Sequence, residues 1–328
     1  MFLAGDIGGT KTLIAAFDGK EDGLTVVREQ EFHSAQYASL AEIVCEFIRS
    51  APHLDLSAAC FGVAGMVVDG RCQTTNLPWE VDASKLAEAA RLPKVKLLND
   101  LEATALGVLQ LKPSEFERLS ENAQAAPGGN IAVIAAGTGL GEALLCWDGH
   151  DYRALASEGG HADFAPRTEI ETELLRYLRN MFPEHVSYER VLSGPGIHNI
   201  YCFLRDRGYG SEPQWLAQSL KHSADPSALI SETALAGKDE LCRRTLELFA
   251  TLYGAEAGNL ALRCLATGGV YIGGGIGPKI KAVLANGSFM RGFLAKGRLS
   301  EFLKGVPVFL SLNPRAALLG AAHHAARL

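Results

Sequence analysis

The sequence predicts an α/β protein of two domains with a cleft between them, and three observations predict it. Short apolar runs rich in β-branched residues alternate with helical patterns from end to end. A strand, a glycine turn and a returning strand occur twice, about Gly8-Gly9 and about Gly137-Thr138-Gly139, as in a duplicated domain. At 328 residues the chain is also longer than one hydrophobic core usually organises.

The elements follow in order. Strands are predicted at Phe2–Ala4, Leu13–Phe17, Ala58–Val63, Val95–Leu98, Ile131–Ala135, Ala143–Trp147, Val270–Ile272 and Val308–Leu310, the last beginning just after Pro307. Asp82 suits the cap of a helix over Ala83–Arg91, which Leu92-Pro93 would stop. Ile170, Leu174, Leu175, Leu178 and Phe182 recur at helical spacing and form one buried stripe. Leu241–Leu262 reads as a long buried helix, with Gly254, Ala257 and Gly258 allowing close packing. The second copy of the hairpin follows the loop Ala126-Pro127-Gly128-Gly129, and Lys112-Pro113 is the expected crossing between the copies.

Composition excludes several classes of function. Net charge is −6, from 31 basic and 37 acidic residues, and no basic run exists to neutralise a nucleic-acid backbone. The seven cysteines are scattered and never form a C-x-x-C pair, which argues against a disulfide framework or a zinc site and fits a reducing cytosol. Met1-Phe2-Leu3-Ala4-Gly5-Asp6 lacks a basic leader region, and the most apolar stretch, Leu260 to Ile272, is interrupted by Arg263 and glycines. The expectation is a soluble cytoplasmic protein without nucleic-acid or membrane partners.

The glycine hairpins point to phosphate. Glycines let the backbone approach a ligand and aim successive N–H groups at it, and Thr10 and Thr138 add hydroxyls. Asp6, at the mouth of the first loop, could hold Mg²⁺ through its water shell. A plain two-residue hairpin turn is the alternative for Gly8-Gly9 alone, but two matched loops each carrying a threonine favour phosphate. A third cluster, Gly273-Gly274-Gly275-Ile276-Gly277-Pro278, suits the wall of an adenosine pocket, although a helix-start turn explains it about as well. No Walker A lysine motif and no strand–GxGxxG–helix fingerprint is present, so a P-loop kinase is excluded and a Rossmann dehydrogenase is disfavoured.

A second constellation suits a polyhydroxylated ligand. Val95-Lys96-Leu97-Leu98 ends in Asn99-Asp100 at the start of a helix, where open α/β sheets bind ligands; either residue could instead cap that helix. Glu158-Gly159-Gly160-His161 sets a carboxylate and an imidazole on a bend, and Glu189 supplies another acid before the turn Ser193-Gly194-Pro195-Gly196. Sugar hydroxyls both donate and accept, so carboxylates, an amide and a histidine match them. Against this stand a satisfied loop histidine at 161 and an ion pair of Glu189 with Arg190.

Taken together, Gly5-Asp6-Ile7-Gly8-Gly9-Thr10, Leu98-Asn99-Asp100, Gly137-Thr138-Gly139-Leu140-Gly141, Glu158 to Phe164, Glu189 to Gly196 and Gly273-Gly274-Gly275-Ile276 resemble, in order, the bacterial glucokinase family of the hexokinase/actin-like ATPase superfamily. The resemblance runs from residue 5 to Asn313-Pro314-Arg315. It implies two ribonuclease-H-like domains, a small one of residues 1–111 plus 313–328 and a large one of residues 112–312, and a homodimer. It implies that Asp100 is the catalytic base and that Asn99, Asp100, Glu158, His161 and Glu189 contact glucose. ATP would be held by Gly5, Asp6, Ile7, Gly8, Gly9 and Thr10, by Gly137, Thr138 and Gly139, and by Gly274 and Gly275. Related sugar kinases and repressors carry a zinc-binding C-x-C-G-x-x-G-C segment after the G-H motif. Here Ala165-Pro166-Arg167-Thr168-Glu169 contains no cysteine, which implies the zinc-free branch.

The expected reaction is transfer of the γ-phosphoryl group of ATP to the 6-hydroxyl of glucose, giving glucose 6-phosphate and ADP at the opening of glycolysis. Closure of the cleft would exclude water. The alternatives are a kinase for another hexose or an aminosugar, and a non-catalytic sugar- and ATP-binding regulator.

Overall fold

Short, mostly buried apolar runs carry Phe2–Ile7 (β1) and Lys11–Asp18 (β2) into an antiparallel hairpin in which Phe2 faces Phe17 and Ile7 faces Thr12. The computed structural model describes residues 1–19 and 23–328. Thr25–His33 (β3) adds antiparallel to β2, the helix Leu40–Arg49 (α1) follows, and the fully buried Ala58–Val63 (β4) pairs parallel to β1. A small sheet of Val67–Val68 (β5), Arg71–Gln73 (β6) and Glu80–Asp82 (β7) precedes Ala83–Ala90 (α2). Asp82 does cap α2, accepting from the N–H groups of Ser84 and Lys85, and the left-handed Arg91 ends it. Val95–Asn99 (β8) then pairs parallel to β4 and runs directly into Asp100–Val108 (α3), giving the sheet order β3-β2-β1-β4-β8.

The second sheet repeats that plan. Phe116–Arg118 (β9) is a short edge, and Ile131–Ala136 (β10) and Leu140–Trp147 (β11) form an antiparallel hairpin. Tyr152–Ser157 (β12) follows. Five helices come next: Glu169–Met181 (α4), Gly194–Asp206 (α5), Gln214–His222 (α6), Pro226–Leu235 (α7) and the 25-residue Glu240–Cys264 (α8). Gly269–Gly273 (β13) pairs parallel to β10, Ile276–Lys279 (α9) follows it, and Val308–Ser311 (β14) pairs parallel to β13 and antiparallel to β9. The hairpin followed by two parallel strands, β2-β1-β4-β8, thus recurs as β11-β10-β13-β14. The returning strand begins at Leu140, so Leu140-Gly141 belongs to the ladder rather than to the glycine turn.

Two units divide the chain: Met1–Glu115 with His150–Ala156 and Asn313–Leu328, and Phe116–Gly149 with Ser157–Leu312. Each has its own apolar core, the first centred on Phe32, Phe47 and Phe61, the second on Tyr201, Phe249, Tyr253 and Phe289. Among the described residues no helix is long and apolar enough to cross a membrane.

In the first unit the C-terminal helix Ala316–Ala326 lies against α3 with almost no gap. A Cβ at Gly320 would fall 1.9 Å from the Ala103 carbonyl oxygen, and one at Gly107 would fall 1.7 Å from that of Ala316. Backbone cannot swing aside as a side chain can, so both positions need glycine. Gly320→Val is expected to destabilise the first unit by about 2–3 kcal/mol through overpacking, read as a lower urea midpoint. An unchanged midpoint would show that the two helices separate freely. Because α3 carries Asp100, this packing also fixes the start of that helix.

Candidate active site

In the first unit the residue 8–10 loop is braced from below. The fully buried Ser34 donates its hydroxyl to the Gly8 carbonyl at 2.8 Å, and its N–H donates to Thr10 at 3.0 Å. The Gly8 N–H closes the turn on Lys11. The N–H groups of Gly9 and Thr10 have no acceptor among the described residues, and Thr10 is exposed. Side-chain bulk at Gly9 would strike Asn76, 2.6 Å from the position of a Cβ. Gly5 and Ile7 lie within β1, and Gly5 packs against Phe61 of β4. Asp6 stands between them, and desolvation pushes its carboxyl up to about 6. No group among the described residues donates to it.

The end of β8 settles which residue caps α3. Asn99 Oδ1 accepts from the Leu101 N–H at 2.8 Å, and Glu102 returns the favour by accepting from the Asn99 N–H at 3.0 Å, a reciprocal capping box. Asn99 Nδ2 donates to the Gly65 carbonyl at 3.0 Å, so this buried amide is locked in one orientation. Asp100 is therefore the first residue of the helix and not its cap. Its carboxylate accepts from the Leu101 N–H at 2.9 Å.

In the second unit the residue 137–139 loop is pinned on both sides. Gly137 N–H donates to Gly139, and the Gly137 carbonyl accepts from Gly194 N–H at 2.8 Å. Glu189, on the short turn Tyr188–Arg190, accepts from the Leu140 N–H at 3.0 Å through Oε2. Its neighbour Arg190 does not pair with it but lies over the Phe182 ring, 4.0 Å from the centroid. The N–H groups of Thr138 and Gly139 have no acceptor among the described residues, and Thr138 is exposed. Gly274, in the left-handed region at φ 78°, abuts Ala136 at the end of β10, so the second and third glycine clusters are neighbours. Gly275 has open space where a side chain would be.

Glu158 and His161 flank one turn, Gly159–His161, closed by the His161 N–H on the Glu158 carbonyl at 3.0 Å. That turn is tied to Tyr188–Arg190 by the Tyr188 N–H on Ala162 at 3.0 Å, which sets Glu158, His161 and Glu189 on adjoining segments. Both Glu158 and His161 are exposed, and neither side chain has a partner among the described residues. Three supports had no signal in the sequence: Ser34 under the first loop, Gly65 on Asn99, and Glu189 on Leu140. Each joins residues more than 20 positions apart.

A family model described as Glucokinase matches residues 3–328. The chain is 42% identical to a glucokinase of Nostoc punctiforme over 340 residues, covering 100% of this chain and 99% of the relative. It is 40% identical to one of a Synechocystis species, covering 99% and 98%. Among solved structures, a glucokinase from an Antarctic psychrotroph has a TM-score of 0.85 at 33% identity, covering 100% of this chain and 99% of that one. A Balamuthia mandrillaris glucokinase in complex with glucose shares the fold, with a TM-score of 0.83 at 23% identity and coverage of 100% and 93%.

Proposed function

We propose, starting from the fact that this chain belongs to the glucokinase family, that Asp100 is the general base of its reaction and that Asn99, Glu158, His161 and Glu189 hold the sugar. The chain is a hexose kinase that moves the γ-phosphoryl group of ATP to the 6-hydroxyl of glucose. The full-length identity of about two residues in five to glucokinases carries that activity.

The chemistry follows from the groups present. Asp100 accepts the proton of the 6-hydroxyl as its oxygen attacks the γ-phosphorus. The bond from that phosphorus to the β–γ bridging oxygen breaks, and its electron pair leaves with ADP. Such transfers depend on positioning and charge stabilisation more than on covalent chemistry. The N–H groups of Gly9, Thr10, Thr138 and Gly139, with no acceptor of their own among the described residues, are suited to phosphate oxygens. Gly275 leaves room for the nucleoside, and Gly274 makes the left-handed turn that sets it against Ala136. Glu158, His161 and Glu189 match sugar hydroxyls that both donate and accept.

The residues present also fit a resident Mg²⁺. Asp6 is a desolvated carboxylate with no donor among the described residues, which is costly unless a cation stands nearby. It would hold Mg²⁺ through water, and the ion would neutralise charge on the phosphates. The reading extends to a cytoplasmic homodimer without bound zinc or nucleic acid. Seven free cysteines, the cysteine-free Ala165 to Glu169 stretch and the negative net charge support its cytoplasmic, zinc-free and nucleic-acid-free parts, and the homodimer rests on the family resemblance.

Initial rates with a panel of hexoses and aminosugars, and with ATP, GTP, ADP and polyphosphate as donors, test specificity. Glucose with ATP is expected to give the highest kcat/KM. A higher value for another hexose or an aminosugar would move the assignment to that substrate.

A further inference from the structure

Beneath the Glu158–His161 turn lies a charged cluster that the phosphoryl-transfer chemistry does not use. Glu142 of β11 and Glu256 of α8 are both fully buried. Glu256 is well served: Arg263 Nη1 donates to it at 2.9 Å and Asn259 Nδ2 at 2.7 Å. Glu142 is not, since neither of its oxygens receives a hydrogen bond and the nearest cation, the same Arg263 Nη1, stands 3.5 Å away. Two buried carboxylates thus share one guanidinium. An ionised Glu142 would leave a buried charge without a donor, whereas a protonated Glu142 becomes a donor itself and can give its hydrogen to Glu256.

Both sugar-side segments rest on this pair. Gly159 lies flat on the Glu142 carboxyl, so that a Cβ there would come within 2.2 Å of Oε2, and Gly160 lies as closely on the Leu140 backbone. From the other acid, Asn259 reaches the Tyr188 hydroxyl at 3.1 Å, next to Glu189. The contact between Gly159 and Glu142 has no room to adjust. A change in charge there must be absorbed by the turn that carries Glu158 and His161.

We infer that Glu142 and Glu256, sharing one proton, are positioning residues that set the Gly159–His161 and Tyr188–Arg190 turns in their glucose-binding form. The inference rests on the assignment of Glu158, His161 and Glu189 to the sugar. Burial, with the Glu256 charge adding to it, pushes the Glu142 carboxyl up to about 8. The pair therefore keeps its proton at neutral pH and loses it as pH rises through that value. The second negative charge then repels the first, and glucose affinity falls.

The other charged and titratable groups facing the pair are Arg263 and Tyr253 on α8, Tyr188 on its turn, and Lys296. Arg167 and Glu171 stand next to Lys296. Lys296, which donates to Asn259, is lowered to about 8 by burial and titrates in the same window. Glu142→Gln separates the two, because it places a permanent donor against Glu256 and leaves Lys296 in place.

The test is glucose KM and kcat between about pH 6.5 and 9.5 for wild type and E142Q. In wild type KM is expected to rise on the order of tenfold above about pH 8, the worth of one well-placed hydrogen bond, with the change falling on KM and not on kcat. In E142Q the KM profile is expected to be flat. A flat wild-type profile, or an equal rise in E142Q, overturns the inference.

Should E142Q fail to fold, calorimetry of glucose binding to wild type near pH 8, in buffers of differing ionisation enthalpy, decides. Proton uptake on binding that persists when the same measurement is made on Lys296→Met supports the shared proton, and its absence there overturns it. Failure of the underlying sugar-site assignment looks different: Glu158→Gln would then keep the wild-type KM at pH 7.

Discussion

Replacing Asp100 by asparagine is expected to cut kcat by about 10²–10⁴, the usual contribution of a general base, while glucose Kd measured by calorimetry moves far less. The local structure separates the chemistry from the fold at this position. Asn99 and Glu102 form the capping box of α3, so the helix does not depend on Asp100 for its cap. Asparagine at 100 can still accept from the Leu101 N–H, as Asp100 Oδ1 does at 2.9 Å. What the amide lacks is the capacity to take a proton. A variant that keeps more than about half the wild-type kcat would remove Asp100 from the reaction. A large loss of glucose affinity with little loss of kcat would make it a binding residue instead.

The second large effect is expected on the sugar side. Glu158→Gln and Glu189→Gln should each raise glucose KM by the worth of a charge-assisted hydrogen bond, about 1.5–3 kcal/mol or roughly 10–150-fold. The two variants are not equivalent. Glu158 is exposed and has no partner among the described residues, so its replacement disturbs nothing else. Glu189 already holds the Leu140 N–H with Oε2. A glutamine there can keep that bond with its carbonyl oxygen, and its NH₂ then replaces the second carboxylate oxygen. The glycine turn survives, and an acceptor becomes a donor. Unchanged KM in both variants would remove these residues from the sugar site.

Local signals made the two hairpins legible. Strands β1, β2, β4, β10 and β13 are short apolar runs next to glycine turns, and the sequence alone shows that the design occurs twice. Strand β3 escaped because Thr25–His33 is mostly polar and part-exposed at a sheet edge, with no apolar run to mark it. The small β5–β7 sheet is built from pieces of two and three residues, too short for a period to appear.

The site divides in the same way. Asn99-Asp100 could be placed at a strand end, but which of them caps α3 depends on Gly65 and Glu102, and the sequence left both possibilities open. Nothing local marks Glu142 as a buried acid. It sits between Gly141 and Ala143 on β11, and its partner Glu256 lies on a helix far along the chain.

Phosphorylation of the 6-hydroxyl of glucose by this member of the glucokinase family can be followed from both products at once. Purified protein is incubated with ATP, Mg²⁺ and glucose, ADP release is followed by a coupled assay, and the product is identified by phosphorus NMR. ADP is expected to form only when sugar is present, in a one-to-one ratio with glucose 6-phosphate. Sugar-independent ADP release, no release at all, or phosphate on any other hydroxyl would contradict this activity.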